Sequence, residues 1–308
     1  MANPVLNSPT FAGELALPYI HAAVVSAPTL HGGNVTLLDG VRYKAVLPVM
    51  SFGTGDNALI KSGACDFDTT ATTDLDERIL EVTDLMVNLQ LCKKQFRTWW
   101  QGDAYSTQSG VPDDYADALL LYVAKFVQAD IEHNIWMGGA TASGYSAFDG
   151  FKKQSGDTSG ATELANSIVD QSSVIAGLQE IITAMPSGIE GDFENTNIYV
   201  NPATISAYNL AIGQAGNGYD NASANGGQTN FVGYKLVSCP GIASGEAMVG
   251  NKNNLFVGIG TADSDSLAQA IDMTPLDGSD NYRITMRYAV GTQIGVVADV
   301  VWFKNDTP

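Results

Sequence analysis

Apolar and polar side chains alternate strictly in the C-terminal part of the sequence. From residue 282 to 290 every second position is apolar and the positions between are mostly arginine or threonine, which predicts a half-buried strand. Gly291 is expected to end that strand. A second run over 294–303 is apolar at nearly every position and predicts a strand that is covered on both faces.

The N-terminal part predicts an arm followed by a long hairpin. Residues 1–32 contain four prolines and many apolar side chains but little periodicity, which indicates an extended arm packed on its own or a neighbouring subunit. Alternation then resumes, a Gly/Asp/Asn-rich tip follows near residue 55, and 33–75 is predicted as an extended hairpin loop. A third strand is predicted over 85–91. Because a long hairpin cannot bury its apolar side within a lone globule, this order suggests a subunit that is completed by its neighbours.

Helical signals occupy the middle of the chain. Pro112 and the two aspartates after it predict a helix start, because proline fits the first turn and carboxylates complement the positive end of the helix dipole. The helix is expected to span 113–137, about 36 Å. Helical spacing returns at 174–185, and Asn201 with the proline after it predicts the cap and first residue of another helix.

Charge and cysteine content narrow the function classes. The chain has 33 acidic and 15 basic residues and a formal charge of -18, so the counterion-release term that drives nucleic-acid binding is missing and direct DNA binding is not expected. Three widely spaced cysteines predict neither a disulfide framework nor a zinc site and indicate a reducing compartment. The first basic residue is Arg42, so no signal peptide or membrane anchor is predicted at the N-terminus.

Candidate catalytic and metal-binding residues are few. His133 follows Asp130 at a helical spacing, but no further ligands are spaced to complete a metal site. Ser146 lies in a Gly-Tyr-Ser-Ala-Phe sequence that comes close to a hydrolase nucleophile elbow, except that Phe148 replaces the final glycine. We therefore predict no enzyme, no cofactor and no metal site. The alternative that stays open is a hydrolase with its site in the 165–254 lobe.

Taken together, the order of these parts resembles the major capsid proteins of tailed bacteriophages, which have the Hong Kong 97-like fold. The resemblance covers essentially the whole chain and is architectural, with no single specific motif. It is carried by the arm, the hairpin, the long helix, the Ile-Tyr-Val-Asn-Pro sequence at 198–202, and the segments 231–237, 254–261 and 282–303.

The resemblance implies an α+β fold in five parts. These are an N-terminal arm over 1–32, an extended hairpin loop over 33–75, a peripheral domain over 76–164 with spine helix 113–137, an axial α/β domain over 165–254, and return strands of the peripheral domain over 255–308.

The resemblance also implies a function. The chain would self-assemble into pentamers and hexamers of an icosahedral phage head, part of the virion, assembled in the host cytoplasm around double-stranded DNA that it does not bind sequence-specifically. Expected inter-subunit contacts are Asp56, Asn57 and Lys61 near the hairpin tip, and Asn217, Asn221 and Asn225 in a Gly-rich loop near the capsomer axis.

Several partners follow from the same resemblance. The chain lacks a long charged helical leader, so a scaffolding protein is expected to be separate, with a portal and decoration proteins as further partners and no membrane. No motif identifies a cross-linking partner for Lys61, which leaves shell stabilisation to noncovalent contacts. An encapsulin-like nanocompartment shell, which shares the fold but carries enzyme cargo, is the alternative.

Overall fold

The computed structural model describes residues 10–12, 27–52, 73–92, 115–140, 144–157, 162–165, 168, 170–214, 229–260 and 267–304. The fold is mixed α+β. Within these ranges the strands are β1 (Thr10–Ala12), β2 (Thr36–Asp39), β3 (Lys44–Phe52), β4 (Thr73–Glu81), β5 (Thr83–Cys92), β6 (Thr162–Ala165), β7 (Thr196–Val200), β8 (Asn230–Phe231), β9 (Tyr234–Ser238), β10 (Ala247–Asn251), β11 (Leu255–Ile259), β12 (Leu267–Asp272), β13 (Asn281–Ile294) and β14 (Val301–Lys304). The helices are α1 (Pro28–His31), α2 (Tyr115–Met137), α3 (Phe151–Asp157), α4 (Val174–Thr183), α5 (Pro202–Gln214) and α6 (Thr274–Asp277).

The first sheet is built around the long strand β13. Its order is β1-β12-β13-β11-β2, and β5 also pairs with β13. All of these pairings are antiparallel except β11 with β2, which is parallel. One face of β13 is buried along its whole length, which confirms the half-buried strand predicted for 282–290.

The prediction that Gly291 ends this strand is wrong, because β13 continues to Ile294. Gly291 lies opposite Gly258 of β11, at the place where the chain between β4 and β5 crosses the sheet. A Cβ on Gly291 would overlap the backbone carbonyl of Glu81, and a Cβ on Gly258 would overlap the side chain of Leu80. The two glycines therefore permit a close approach of backbones, which is the other role of glycine in a strand.

The second predicted strand, 294–303, is also corrected. A single 3-10 turn at Val297–Asp299 interrupts it, and only β14 remains extended. This turn moves the chain from the first sheet into the second, so β14 pairs with β10 and β6 and does not act as a return strand beside β13. The five-part domain division itself stays a prediction.

The second sheet has the order β6-β14-β10-β7-β9-β8 and is covered on both faces, as predicted for the end of the chain. Tyr199, Met248 and Trp302 point into the core shared with helix α2 and the first sheet. Their chain neighbours Val200, Val249 and Phe303 point into a second core with helices α4 and α5. Alternate residues thus enter different cores, which explains why these strands read as continuous apolar runs.

Helix α2 lies within the predicted 113–137. Val123, Val127 and Ile131 follow one another at a spacing of four residues and are buried in the first core, as expected for one face of a helix. Trp136 packs edge-on against Phe151, with 5.3 Å between the ring centroids. Phe151 begins α3, a helix that the Ser/Thr/Gly-rich sequence did not predict.

Candidate assembly surface

Strands β3 and β4 form a two-stranded antiparallel ribbon separate from both sheets. The ribbon runs from the pair Lys44 and Glu81 to the pair Phe52 and Thr73. Its return strand therefore extends past residue 75, where the sequence placed the end of the hairpin. Because a two-stranded ribbon is marginally stable alone, its root must be fixed to the body.

The root of the ribbon is fixed by a small buried cluster. Leu80 is fully buried with Val41, Val82 and Ala289, in the space that Gly258 leaves open. The Val82 N–H donates to the carbonyl of Tyr43 at 3.1 Å, which ties the two strands together as they leave the sheet. The ribbon therefore starts from a defined position on the body.

Cross-strand pairing gives the ribbon two unlike faces. Ala45, Leu47 and Val49 are half-buried and point toward the body, where a groove of about 530 Å³ separates Leu47 and Val49 from Ile189 and Phe256. The opposite face carries the pairs Val46 with Ile79 and Met50 with Leu75. We call these last four side chains the apolar ribbon face.

The apolar ribbon face is open to solvent in the single chain. Exposed fractions are 56% for Val46, 51% for Ile79, 67% for Met50 and 65% for Leu75. Fully burying one such side chain stabilises by about 1.5–3 kcal/mol. Because only about three fifths of each side chain is still exposed, covering all four contributes roughly 4–7 kcal/mol before the costs of association. Exposed apolar side chains clustered on one face in this way are typical of interaction sites.

Charged residues lie at one end of the apolar ribbon face and within it. Lys44 and Glu81 form an ion pair of 3.2 Å at the root of the ribbon, with both side chains about half exposed. An exposed pair adds little stability. Glu77, opposite Pro48, is exposed between the two apolar pairs, so a partner that covers this face must leave the Glu77 carboxylate in water or pair it.

A buried hydrogen-bond network joins Thr29, in the last part of the predicted arm (1–32), to helix α2. Glu132 accepts hydrogen bonds from the Thr29 N–H at 3.2 Å, from the Thr29 hydroxyl and from Trp136 Nε1 at 3.3 Å. Burial raises the pKa of Glu132, and hydrogen bonds from Thr29, Trp136 and the Gly241 backbone partly oppose that rise. Burial and the neighbouring Glu132 also raise the pKa of the Cys239 thiol.

The residues predicted for inter-subunit contact lie outside the described residues. Asp56, Asn57 and Lys61 fall within 53–72, and Asn217, Asn221 and Asn225 fall within 215–228, so their roles stay predictions. The apolar ribbon face was not singled out in the sequence. The signal that could have found it is that residues 45–50 are apolar at both even and odd positions. Both faces of the strand are therefore apolar, and in a two-stranded ribbon only one face can lie against the body.

Ser146, in the sequence close to a nucleophile elbow, lies at an open groove. Ser146 is exposed and lines a groove of about 440 Å³ together with Asp149, Gln154 and Thr292. Lys153 donates to Asp149 at 2.8 Å, and the ring of His133 stacks on Tyr145. No histidine lies among the described residues that line this groove.

The described part of the chain contains no group of three or more His, Cys, Asp or Glu side chains arranged to hold a metal ion. None of its helices combines the length and apolar character needed to span a membrane.

The chain is similar to solved structures of known proteins but matches none of the compared sequences. No protein-family model matches the chain, and no curated protein sequence is significantly similar to it. A solved chain from the satellite phage P4 procapsid, which includes the size determination protein, superposes with a TM-score of 0.62 at 11% identity, covering 98% of this chain and 94% of that one.

Two other solved structures extend the likeness. The capsid of a native GTA particle gives a TM-score of 0.59 at 14% identity over 91% of this chain and 90% of that one. A virus-like particle from Pyrococcus furiosus gives 0.52 at 8% identity over 94% and 96%. The identities are low, but the coverage is nearly complete, so the likeness in fold extends over most of the chain. It has the fold of phage major capsid proteins, the Hong Kong 97-like fold that its sequence resembles.

Proposed function

We propose that this chain is the major capsid protein of a tailed phage, which self-assembles into pentamers and hexamers of an icosahedral head around double-stranded DNA. The observation that carries the proposal is the apolar ribbon face, which a single chain with this fold leaves uncovered. Repetition of such modest contacts by symmetry gives a closed container its stability. The protein would be part of the virion and assemble in the host cytoplasm.

The acidic composition suits a container for DNA. A formal charge of -18 per chain repels a polyanion, so packaged DNA would not adhere to the wall. In this proposal Asp56, Asn57 and Lys61 contribute to the contact at the hairpin tip, and Asn217, Asn221 and Asn225 to the capsomer axis. A separate scaffolding protein, a portal and decoration proteins would act as partners.

The test is a double substitution on the apolar ribbon face. Met50→Asp with Leu75→Asp places two charges on the face, and we expect loss of closed particles because burying unpaired carboxylates is costly. Both side chains are largely exposed, so the unfolding free energy should change by less than about 0.5 kcal/mol. Negative-stain electron microscopy with size exclusion measures the first effect and urea denaturation the second.

The matched control is Leu276→Asp in helix α6. Leu276 is 69% exposed, as much as Met50, but lies away from the ribbon. We expect the control to form the same particles as the parent chain. Normal particles from the ribbon variant would refute the role of this face, and a parent chain that forms no particle or capsomer alone or with a scaffold would refute the capsid function.

An encapsulin-like nanocompartment is the second candidate. It is favoured by the likeness in fold to a virus-like particle, and it would use the same ribbon contact. The two candidates differ in content, because a phage head encloses DNA and a nanocompartment encloses enzyme cargo. Particles purified from the native source should therefore be digested and analysed for nuclease-protected DNA and for enclosed protein.

A further inference from the structure

Strand β5 lies at an edge of the first sheet. One of its edges pairs with β13 over ten residues, from Thr83 with Val290 to Cys92 with Asn281. No strand in the described part of the chain pairs with its other edge. That edge presents a row of backbone N–H and C=O groups able to accept another strand.

The sequence of β5 does nothing to block such pairing. Natural edge strands are usually protected by lysine, proline or a bulge. β5 contains no lysine and no proline, and its one charged residue is Asp84. Met86 on its outer face is 60% exposed, and Leu89 on its inner face is 41% exposed. Leu89 is opposite Ile284, which is fully buried, so its exposure comes from the open edge of the sheet.

We propose that the free edge of β5 pairs antiparallel with β5 of a second copy of this chain, about a two-fold axis at Val87. This register places Leu89 opposite Leu85 of the second copy and Asp84 opposite Gln90. The inference rests on the proposed self-assembly and adds a contact distinct from the ribbon.

Burial of apolar side chains favours this register. Leu85, Val87 and Leu91 share the inner face of β5 and pack against the core, and Leu89 on the same face is left open. Pairing Leu89 with Leu85 of the second copy covers it with an apolar side chain at a Cβ distance of about 5 Å. A shift by one residue would instead place the inner face of one strand beside the outer face of the other.

Charge also favours this register. Arg283 lies beside Gln90 in the sheet and its Nε donates to Gln90 Oε1 at 3.3 Å. Asp84 of the second copy would therefore be the next side chain in the row that contains Arg283 and Gln90. The two-fold axis repeats this arrangement, so each copy supplies one carboxylate to the other copy's arginine, and no like charges face each other across the pair.

A cysteine pair tests the register directly. Residues 84 and 90 of one strand are about 20 Å apart and cannot be bridged within a chain, whereas directly opposite residues of two copies have the Cα separation that a disulfide requires. We expect Asp84→Cys with Gln90→Cys to give a covalent dimer under mild oxidation, visible on non-reducing gels. The off-register pair Asp84→Cys with Asn88→Cys and the parent chain, which contains native cysteines, should give at least tenfold less.

A charge exchange supplies a second test that does not depend on cysteine reactivity. Asp84→Arg should weaken dimer association by about tenfold. Analytical ultracentrifugation of free chains or of capsomers measures this association. Adding Arg283→Asp in the same chain should restore it, because positions 84 and 283 come near each other, on either side of Gln90, only between copies.

The outcomes separate the two proposals. Particles that form without the covalent dimer would overturn the edge pairing and leave the proposed function standing. A covalent dimer from a chain that forms no shell with or without a scaffold would support the pairing and refute the capsid function. Failure of the second substitution to restore association would also overturn the pairing.

Discussion

Within the described part of the chain, Glu132 is a buried carboxyl group held by hydrogen bonds and not by a cation. It is 2% exposed, and its described partners are Thr29, Trp136 and the backbone of Gly241. The Thr29 hydroxyl in turn accepts from Trp136 Nε1 at 2.8 Å. Because hydrogen bonds alone do not offset the desolvation of a charge, the pKa of Glu132 stays above its ordinary value of 4.5.

This raised pKa predicts a stability that falls as the pH rises. Between 4.5 and the raised pKa the folded chain binds more protons at Glu132 than the unfolded chain does, so the unfolding free energy decreases with pH in that window. Relative to Glu132→Gln, which cannot ionise, the parent chain should lose about 1.4 kcal/mol for each unit by which the pKa is raised. Urea denaturation of both chains from pH 4.5 to about 7.5 measures this, and parallel curves would contradict it.

Local residue chemistry was predictable from sequence only where it acts over a few residues. Asn201 was predicted as a helix cap, and its Oδ1 accepts from the Ala203 N–H at 3.0 Å. The partnership of Glu132 with Thr29 was not predicted, since the two are 103 residues apart. The sequence around Glu132 shows only a helix that is apolar on more than one face.

At the scale of elements, the crossing of the β4–β5 chain over the first sheet depends on glycine. We expect Gly291→Ala to destabilise the protein by about 2–3 kcal/mol, because its Cβ would overlap the Glu81 carbonyl and force the backbones apart. Since that crossing also fixes the root of the ribbon, the variant should assemble poorly even where it remains folded. The measurement is urea denaturation combined with electron microscopy.

Gly250→Ala is the matched control for that prediction. Gly250 also lies in a buried strand, but a Cβ there would meet Val300 Cγ2 at an ordinary contact distance of 3.6 Å. We expect a change below about 0.5 kcal/mol and normal assembly. An equal loss of stability in the two variants would contradict the assignment of the Gly291 effect to the overlap with the Glu81 carbonyl.

Elements with strong local signals were predicted well, and their partners were not. Helix α2 and strand β5 lie where the sequence pattern placed them. The interruption at Val297–Asp299 was missed because the residues on both sides of the turn are as apolar as those of a buried strand. The candidate assembly surface was predicted to the same extent. The hairpin was predicted from the sequence, but which of its faces is exposed depends on how the ribbon lies against the two sheets.

At the scale of the whole molecule, assembly must bring together many strongly acidic chains. Each carries a formal charge of -18, and this repulsion opposes the apolar contacts of the ribbon. Raising the salt concentration from about 0.02 M to 0.3 M shortens the Debye length severalfold, so we expect the protein concentration needed for assembly to fall. Light scattering across a dilution series measures that threshold.

A charge-reduced variant separates screening from other effects of salt. Glu190→Gln with Glu194→Gln removes two exposed carboxylates on the same short connection and should lower the threshold at low salt but not at high salt. A threshold that rises with salt in the parent chain would mean that ion pairs between copies dominate assembly.

The position of β13 and β14 late in the chain has a consequence for protein synthesis. β13 pairs with β5, β11 and β12 in one sheet. In the other sheet β14 lies between β6 and β10 and pairs with both. A ribosome makes the ribbon strands β3 and β4 much earlier. The apolar ribbon face is therefore synthesised before the two sheets to which the ribbon is attached. Neither sheet can form completely until residues 281–304 have been translated. A nascent chain should therefore be unable to assemble with other subunits until its synthesis is nearly finished.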